Sequence, residues 1–261
     1  MTSTPTPADA TTFDLSGRVV LVTGGTRGLG AEIAQRFVQA GATVVVCGRT
    51  APEEVEGVTP ATTFLAVDVR NADQVAAMFE TIVERFGRLD VVVNNAGGSP
   101  PADAATASPR FTEAIVRLNL LAPLLVAEQA NAVMQGQDGG GSIINIASLN
   151  GVRPSPGTAA YGAAKAGLLE ASVTLSTQYA PQVRVNCVTP GAIATEELYE
   201  KYGGDAYFDA VTATVPMGRM GRPDDVASAC LFLASSAAAF ITGANLLVHG
   251  GGDAPPQPAS A

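Results

Sequence analysis

Cysteine, histidine and lysine are all scarce in this chain of 261 residues, which has three cysteines, one histidine and two lysines. The cysteines, Cys47, Cys187 and Cys230, are scattered through apolar stretches, and no pair of them has the spacing of a zinc site. We therefore expect neither a metal centre nor a disulfide framework. The three thiols are expected to be buried and reduced.

Long hydrophobic runs and an excess of positive charge are also missing. No apolar run reaches the roughly 18 residues that a membrane-spanning helix requires. The formal net charge is −9, whereas nucleic acid and anionic membranes are bound through basic patches. The segment Met1 to Thr12 lacks the regions of a secretory signal peptide. We expect a cytoplasmic protein with a small-molecule partner, and neither nucleic acid nor membrane as a partner.

The chain instead contains a steady alternation of short apolar strands and helical patterns. Hydrophobic residues make up 47% of it, mostly Ala and Val, as in parallel strands that are covered by helices. The alternation predicts an α/β fold with a doubly wound parallel sheet, a single three-layer α/β/α domain of the Rossmann type. This domain is expected to span 14–252, between disordered tails at 1–13 and 253–261.

Seven strands and five main helices are expected within this domain. The predicted strands are 18–23, 43–47, 64–67, 89–94, 142–148, 183–189 and 244–248. The predicted helices are 28–40, 71–86, 110–134, 157–180 and 224–234. The helix 110–134 is expected to bend at Pro123, because proline cannot donate a backbone hydrogen bond. A segment of about 192–221 is expected to form a lid over a substrate site.

The most informative stretch is Tyr161-Gly162-Ala163-Ala164-Lys165. Residues four apart in a helix share one face, so the phenol and the ammonium can interact. Lowering the pKa of a phenol from ~10 to ~7 requires about 4 kcal/mol, which Coulomb attraction supplies at ~4 Å in an effective dielectric of ~20. A tyrosine with that pKa can exchange a proton with an alcohol at neutral pH. The alternative is an unrelated Tyr and Lys on a solvated helix face.

Two further features belong to the carboxyl ends of predicted strands, where open α/β sheets place their chemistry. Ser148 ends the apolar run 142–148, which predicts a buried strand. After the first strand, Gly24, Gly28 and Gly30 predict a tight turn whose N–H groups can approach a pyrophosphate. No Gly-Lys-Ser/Thr follows these glycines, which disfavours an NTPase.

Together with Asn94-Asn95-Ala96-Gly97, these motifs resemble the classical short-chain dehydrogenase/reductase (SDR) family, from about Leu15 to Gly252. The resemblance implies an enzyme that transfers hydride between a nicotinamide dinucleotide and a CH–OH group. The catalytic tetrad that it implies is Asn119, Ser148, Tyr161 and Lys165.

Each member of the implied tetrad has its own role. Tyr161 would be the acid in ketone reduction and the base in alcohol oxidation. Lys165 would lower the pKa of Tyr161 and hold the hydroxyls of the nicotinamide ribose. Ser148 would donate a hydrogen bond to the substrate oxygen. Asn119 would hold a water that connects Lys165 to solvent.

The resemblance also implies a cofactor site. Its Asp68-Val69 pair would contact the adenine, and its Pro190-Gly191 pair and Thr195 would flank the nicotinamide carboxamide. The implied cofactor-binding residues are Gly24, Thr26, Arg27, Gly28, Leu29, Gly30, Arg49, Asp68, Val69, Asn95, Ala96, Gly97, Tyr161, Lys165, Pro190, Gly191, Ile193 and Thr195.

The end of the second predicted strand bears on the choice between NAD and NADP. An acidic residue there would accept a hydrogen bond from the ribose 2′-hydroxyl of NAD, whereas an arginine would suit the 2′-phosphate of NADP. The chain has Gly48 followed by Arg49, and Arg27 lies within the glycine turn. NADP(H) is therefore expected rather than NAD(H). The alternative is that both arginines point into solvent.

The lid is rich in aromatic residues. Tyr199, Tyr202 and Tyr207 lie there beside Phe208, which favours a bulky apolar or cyclic ketone or alcohol as substrate. Packing of these rings within the lid or against another subunit is the alternative. The resemblance further implies a homotetramer or homodimer. Two other functions stay open: a 3-oxoacyl-[acyl-carrier-protein] reductase, and a non-catalytic dinucleotide sensor.

Overall fold

A single parallel sheet forms the centre of the protein. The computed structural model describes residues 13–50, 62–196, 198–199 and 205–252. Apart from residue 13, the predicted tails 1–13 and 253–261 lie outside this range. Seven strands run in the order β3-β2-β1-β4-β5-β6-β7. The strands are β1 (Val19–Thr23), β2 (Thr43–Gly48), β3 (Thr62–Ala66), β4 (Val91–Asn94), β5 (Gly141–Ile146), β6 (Val183–Pro190) and β7 (Asn245–Val248).

Helices follow the strands along the chain and cover both faces of the sheet. They are α1 (Gly28–Gln39), α2 (Ala72–Phe86), α3 (Pro109–Val116), α4 (Ala122–Gln135), α5 (Ala159–Gln178), α6 (Asp205–Thr212) and α7 (Pro223–Ala234). The strand order reverses direction between β1 and β4. Such a switch point opens a crevice at the carboxyl ends of the strands, where ligands bind in this kind of sheet.

Alternation along each strand divides the buried side chains between two cores. In β1, Val20 and Val22 face one core, and Val19 and Leu21 face the other, because successive strand residues point to opposite faces. The first core includes α1 and α7, and the second includes α2 and α4. The predicted three-layer, doubly wound parallel fold is confirmed.

An ion-pair cluster joins β1 to β4 at the amino-terminal edge of the sheet. The buried carboxylate of Asp90 accepts hydrogen bonds from Arg18 Nη1 at 2.7 Å, from Arg88 Nε at 2.8 Å and from the N–H of Val19 at 2.9 Å. These donors outweigh the cost of burial and lower the pKa of Asp90. The cluster therefore holds together β1 and β4, the two strands that border the switch point. It does so at the edge of the sheet opposite the crevice.

Two of the differences between predicted and observed elements bear on the site. Strand β5 stops at Ile146, so Ser148 lies two residues beyond the strand rather than at its end. The predicted helix 110–134 is interrupted by a wider, π-type turn at Arg117–Leu121, before the expected bend at Pro123. Residue 123 cannot donate to the carbonyl one turn earlier, so the irregularity falls in the turn that precedes the proline.

Candidate active site

Asn95 and Ala96, which directly follow β4, keep the glycine turn after β1 in position. The side-chain amide of Asn95 donates to the carbonyls of Thr23 at 3.0 Å and Gly24 at 3.1 Å. In return, the Thr23 hydroxyl accepts from the N–H groups of Asn95 and Ala96, both at 3.0 Å. The Asn95-Ala96 segment thus sets the position of the turn across the switch point.

The geometry of this turn fits a dinucleotide pyrophosphate. Gly24 has a φ of +64°, which favours glycine, and a Cβ on Gly30 would collide with the Gly24 carbonyl. A Cβ on Gly28 would meet nothing within 4 Å, so the turn is open on that side. No side chain caps the start of α1, and its first turn carries no acidic residue. Its N–H groups and its positive dipole end therefore suit an anionic group.

Asp68 and Arg49 lie near each other at the neighbouring strand ends. Arg70 forms a two-pronged pair with the Asp68 carboxylate, with Nε–Oδ1 at 2.9 Å and Nη2–Oδ2 at 2.6 Å. This pair lowers the pKa of Asp68 to about 2, and the charge of Arg49 contributes in the same direction. The exposed Arg49 directly follows Gly48, the last residue of β2. Sequence reasoning missed Arg70, whose only sequence signal is its position two residues after Asp68.

Lys165 is fixed inside the protein. It is 3% exposed, and its Nζ donates a hydrogen bond of 2.7 Å to the carbonyl of Ile146 at the end of β5. The same Nζ lies 5.8 Å from the centre of the Tyr161 ring, one turn earlier in α5. Burial lowers the pKa of Lys165 to about 8, because the charged form loses its hydration.

Tyr161 and Ser148 meet beside this lysine. Burial raises the pKa of Tyr161, and a hydrogen bond with Ser148 opposes the rise. The prediction that Lys165 lowers the pKa of Tyr161 is therefore wrong for this structure. The groups that shift this pKa are the burial of the ring and Ser148, whereas the Lys165 ammonium is bound to the carbonyl of Ile146. The Ser148 hydroxyl also accepts from the N–H of Asn150 at 3.2 Å.

Asn119 lies in the wide helical turn with its side chain fully engaged. Its Oδ1 accepts from the N–H of Gly98 at 2.8 Å, and its Nδ2 donates to the carbonyls of Gly98 at 3.0 Å and Ile115 at 2.9 Å. The Asn119 main-chain carbonyl lacks its usual i+4 donor, because Pro123 has no N–H. The side-chain amide of Asn119 is therefore fully used within the protein, and its holding of a water stays a prediction.

The segment after β6 leads into the predicted lid. The N–H of Gly191 donates to Val248 at 2.9 Å, and Ile193 forms a bridge with Gly221. The Thr195 hydroxyl accepts from the N–H of Leu198 at 3.2 Å. These contacts place the predicted nicotinamide-side residues beside the last strand.

The lid aromatics pack mainly against one another. The ring centres of Tyr199 and Phe208 are 5.2 Å apart, and those of Tyr207 and Phe208 are 6.1 Å apart. The Tyr199 hydroxyl also donates to Asp205 at 2.9 Å. This packing favours the alternative in which the rings stabilise the lid itself. Tyr202 lies outside the described residues.

A cleft of about 180 Å³ opens beside Tyr161. It lies between the segment that follows β4, the start of α3 and the start of α5. Its lining residues are Ser99, Ala102, Ala104, Ala107, Phe111, Thr112, Gly157, Thr158, Ala159, Ala160 and Tyr161. Sequence reasoning missed most of this wall, since an alanine-rich loop carries no signal for a pocket.

The structure also bears on the expected absences. The three cysteines are free and buried, as predicted. No cluster of three or more potential metal-binding side chains occurs within the described ranges. Across those same ranges, no helix is long and apolar enough to cross a membrane.

Comparison with known proteins agrees with this geometry. A family model described as "Enoyl-(Acyl carrier protein) reductase" matches residues 24–252. The L-fucose dehydrogenase of Bos taurus is 38% identical, over 91% of this chain and 90% of that protein. The 3-oxoacyl-[acyl-carrier-protein] reductase of Chlamydia muridarum is 35% identical, over 91% and 98% respectively.

A solved structure agrees at the level of the fold. The ligand-free aldohexose dehydrogenase of Thermoplasma acidophilum superposes with a TM-score of 0.84 at 32% identity, covering 91% of this chain and 94% of that one. A doubly wound sheet with these motifs at its carboxyl edge defines a dehydrogenase/reductase that uses a nicotinamide dinucleotide. The chain belongs to the short-chain dehydrogenase/reductase family.

Proposed function

We propose that this protein is an NADP(H)-dependent oxidoreductase that interconverts a ketone and a secondary alcohol, with Tyr161 as the acid/base. The observation that carries the proposal is the arrangement of Tyr161, Lys165 and Ser148 at the carboxyl edge of the sheet. The phenol contacts Ser148, and the ammonium lies one helical turn away. This is the set of groups that a carbonyl needs for hydrogen bonding and proton transfer.

The nicotinamide dinucleotide supplies or accepts the hydride when it is bound. In the reductive direction, Ser148 donates a hydrogen bond to the substrate oxygen and Tyr161 gives that oxygen a proton. Lys165, which Ile146 holds in place, would hold the hydroxyls of the nicotinamide ribose. The Asn119 carbonyl holds a water through which the proton is replaced from solvent.

The preference for NADP(H) is supported at the end of β2. Gly48 offers no carboxylate to a ribose hydroxyl, and Arg49 is exposed beside it. The charge of Arg49 lowers the pKa of Asp68, and this proximity to the proposed adenine contact supports a role for the guanidinium beside the adenosine. Neither the Arg27 nor the Arg49 side chain forms a hydrogen bond or an ion pair with another described residue, which supports their availability to a 2′-phosphate.

The substrate that we propose is a bulky apolar or cyclic ketone or alcohol. The cleft beside Tyr161 is lined by small apolar residues and supports this class. A 3-oxoacyl-[acyl-carrier-protein] reductase is the second candidate, favoured by the relative with that name. The acidic residues Glu196, Asp205 and Asp209 of the lid weigh against docking of an anionic carrier. A non-catalytic sensor is disfavoured by the intact Ser148, Tyr161 and Lys165.

We also propose that the protein is cytoplasmic and forms a homotetramer or homodimer. Strand β7 is the last strand of the sheet, and no other described strand pairs with its outer edge, which supports pairing with another chain. Leu247 on this strand is 47% exposed, and the nearby Phe240 is fully exposed. Such apolar exposure supports self-association, and light scattering of the purified protein measures it.

The direct experiment is a titration with NADPH and with NADH, read by cofactor fluorescence, followed by a panel of apolar ketones. We expect much tighter binding of NADPH and reduction of at least one ketone. Equal or tighter binding of NADH would contradict the cofactor proposal and would direct the search to NAD-linked alcohol oxidation. Reduction of none of the ketones would contradict the substrate class.

A further inference from the structure

The wall of the cleft beside Tyr161 is built from the smallest apolar side chains. Five alanines contribute to it: Ala102, Ala104, Ala107, Ala159 and Ala160. Among the described lining residues, Phe111 of α3 supplies the one aromatic surface besides Tyr161 itself, and none is charged at neutral pH. The cleft therefore offers dispersion contacts and no ionic partner.

The hydroxyl groups in the wall are largely engaged with the protein. Thr158 donates to the carbonyl of Ser155 at 2.9 Å and accepts from Asn150 at 3.2 Å. Ser99 donates to the carbonyl of Pro100 at 2.7 Å. A ligand rich in hydroxyl groups would lose water here and recover few hydrogen bonds, which costs affinity.

The two sides of the cleft are fixed relative to Tyr161. The N–H of Ala102 donates to the carbonyl of Gly157 at 2.8 Å, which joins the segment after β4 to the start of α5. Ala160 is the residue next to Tyr161 in α5. A group that fills the cleft is therefore held close to the phenol.

We propose that this cleft seats one neutral, apolar, ring-sized substituent of the substrate, next to the carbonyl that Tyr161 protonates. The volume of about 180 Å³ slightly exceeds the roughly 150 Å³ that accommodates one benzene ring. The inference rests on the proposed oxidoreductase function and narrows its substrate to ketones or alcohols with such a substituent. It separates this chain from a dehydrogenase of free sugars, because a sugar ring carries hydroxyl groups throughout.

The test fills the cleft from two positions. Ala107→Leu and Ala104→Leu each place a larger side chain in the wall, and Ala132→Leu, on the exposed side of α4, is the matched control. The substrates are acetophenone, which carries a ring, and butanone, which does not. In the cleft variants we expect kcat/KM for acetophenone to fall by about 10-fold or more relative to the wild type. We expect kcat/KM for butanone to stay within about 2-fold of the wild-type value. The control variant is expected to match the wild type with both ketones.

Several outcomes would overturn the inference. If the ratio of kcat/KM for acetophenone to kcat/KM for butanone were the same in the wild type and both cleft variants, the ring would bind outside the cleft. A kcat/KM for L-fucose above that of every apolar ketone would contradict the apolar class. If no ketone were turned over, the proposed function would fail on its own. Binding of acetophenone, measured by saturation-transfer NMR, would then test separately whether the cleft seats the ring. Loss of binding in Ala107→Leu would support the inference, and unchanged binding would overturn it.

Discussion

The Nζ of Lys165 donates a hydrogen bond of 2.7 Å to the main-chain carbonyl of Ile146, the last residue of β5. This bond ties the centre of α5 to the carboxyl edge of the sheet. It also explains why an ammonium can be buried without a carboxylate partner, since a charged donor forms a strong bond to a carbonyl. The position of the lysine is thereby set before any ligand binds, while its pKa falls to about 8.

The first prediction concerns stability and pH. The pKa of Lys165 is about 8 in the folded protein and near 10.5 when unfolded. Below pH 8, burial of the charge costs about 3 kcal/mol, which its hydrogen bond offsets by about 1 kcal/mol. Lys165→Met should therefore be about 2 kcal/mol more stable than the wild type at pH 7.

The sign of the pH dependence can be checked separately. Between pH 8 and 10.5, the unfolded wild type binds more protons than the folded protein, so wild-type stability rises relative to Lys165→Met. Urea unfolding of both proteins across this range measures the difference. The contributions of Cys47 and Cys230 are common to both proteins and cancel, whereas burial raises the pKa of Cys187 and Lys165 opposes that rise, so this pKa shifts in the variant. A difference that does not change with pH would contradict the lowered pKa.

The second prediction concerns the cofactor. Arg49→Gln should weaken NADPH binding by about 10-fold or more, because a charge-assisted contact to the 2′-phosphate is lost, and should leave NADH binding unchanged. Gly48→Asp should shift the preference towards NADH. A Cβ at Gly48 meets Thr26 only at 3.6 Å, so this residue accepts a side chain without strain.

A matched control is available on the opposite part of the surface. Arg85 is an exposed arginine in the last turn of α2, and Arg85→Gln should leave both affinities unchanged. Fluorescence titration of the three variants measures each dissociation constant. If NADPH and NADH weakened equally in Arg49→Gln, this arginine would not contact the 2′ position.

The third prediction concerns Asn119 and Pro123. Pro123→Ala supplies an N–H that can bond the Asn119 carbonyl in place of water. We expect kcat to fall several-fold, with an unchanged dissociation constant for NADPH and no loss of stability, since alanine favours the helix. Pro109→Ala, at the first residue of α3, is the control and should retain full kcat. Full activity in Pro123→Ala would show that the Asn119 carbonyl takes no part in proton transfer from solvent.

Much of the fold follows from the sequence because its strands and helices have clear periods. The glycine turn, the Asn71 cap of α2 and the order of the motifs were all predictable from local chemistry. The wide turn at Arg117–Leu121 was not, because it depends on how α3 and α4 join around Pro123. Nor was the alanine cleft, whose shape arises from three segments that are distant in sequence.

The electrostatics of the site were the least predictable part. A four-residue spacing indicates that Tyr161 and Lys165 share a face, but the effect of burial on each group depends on the whole fold. Burial raises the pKa of Tyr161 and lowers that of Lys165. The bond from Lys165 to Ile146 likewise involves a backbone group 19 residues away in the chain, which no local pattern indicates.

The last prediction concerns the proton donor. Tyr161→Phe keeps the ring and removes the exchangeable proton, so it should reduce the rate of hydride transfer by a factor of about 10² to 10⁴. Because Tyr161 is also one of the expected cofactor contacts, binding of NADPH should weaken by no more than about 10-fold, the contribution of a single hydrogen bond. Tyr179→Phe, at the end of the same helix, is the control and should behave as the wild type.

The most direct measurement is single-turnover oxidation of bound NADPH by a ketone that the wild type reduces, recorded for the wild type and Tyr161→Phe. The account predicts that the variant, saturated with NADPH, oxidises it at least about 100-fold more slowly. Oxidation at the wild-type rate would contradict the role of Tyr161 and, with it, the mechanism.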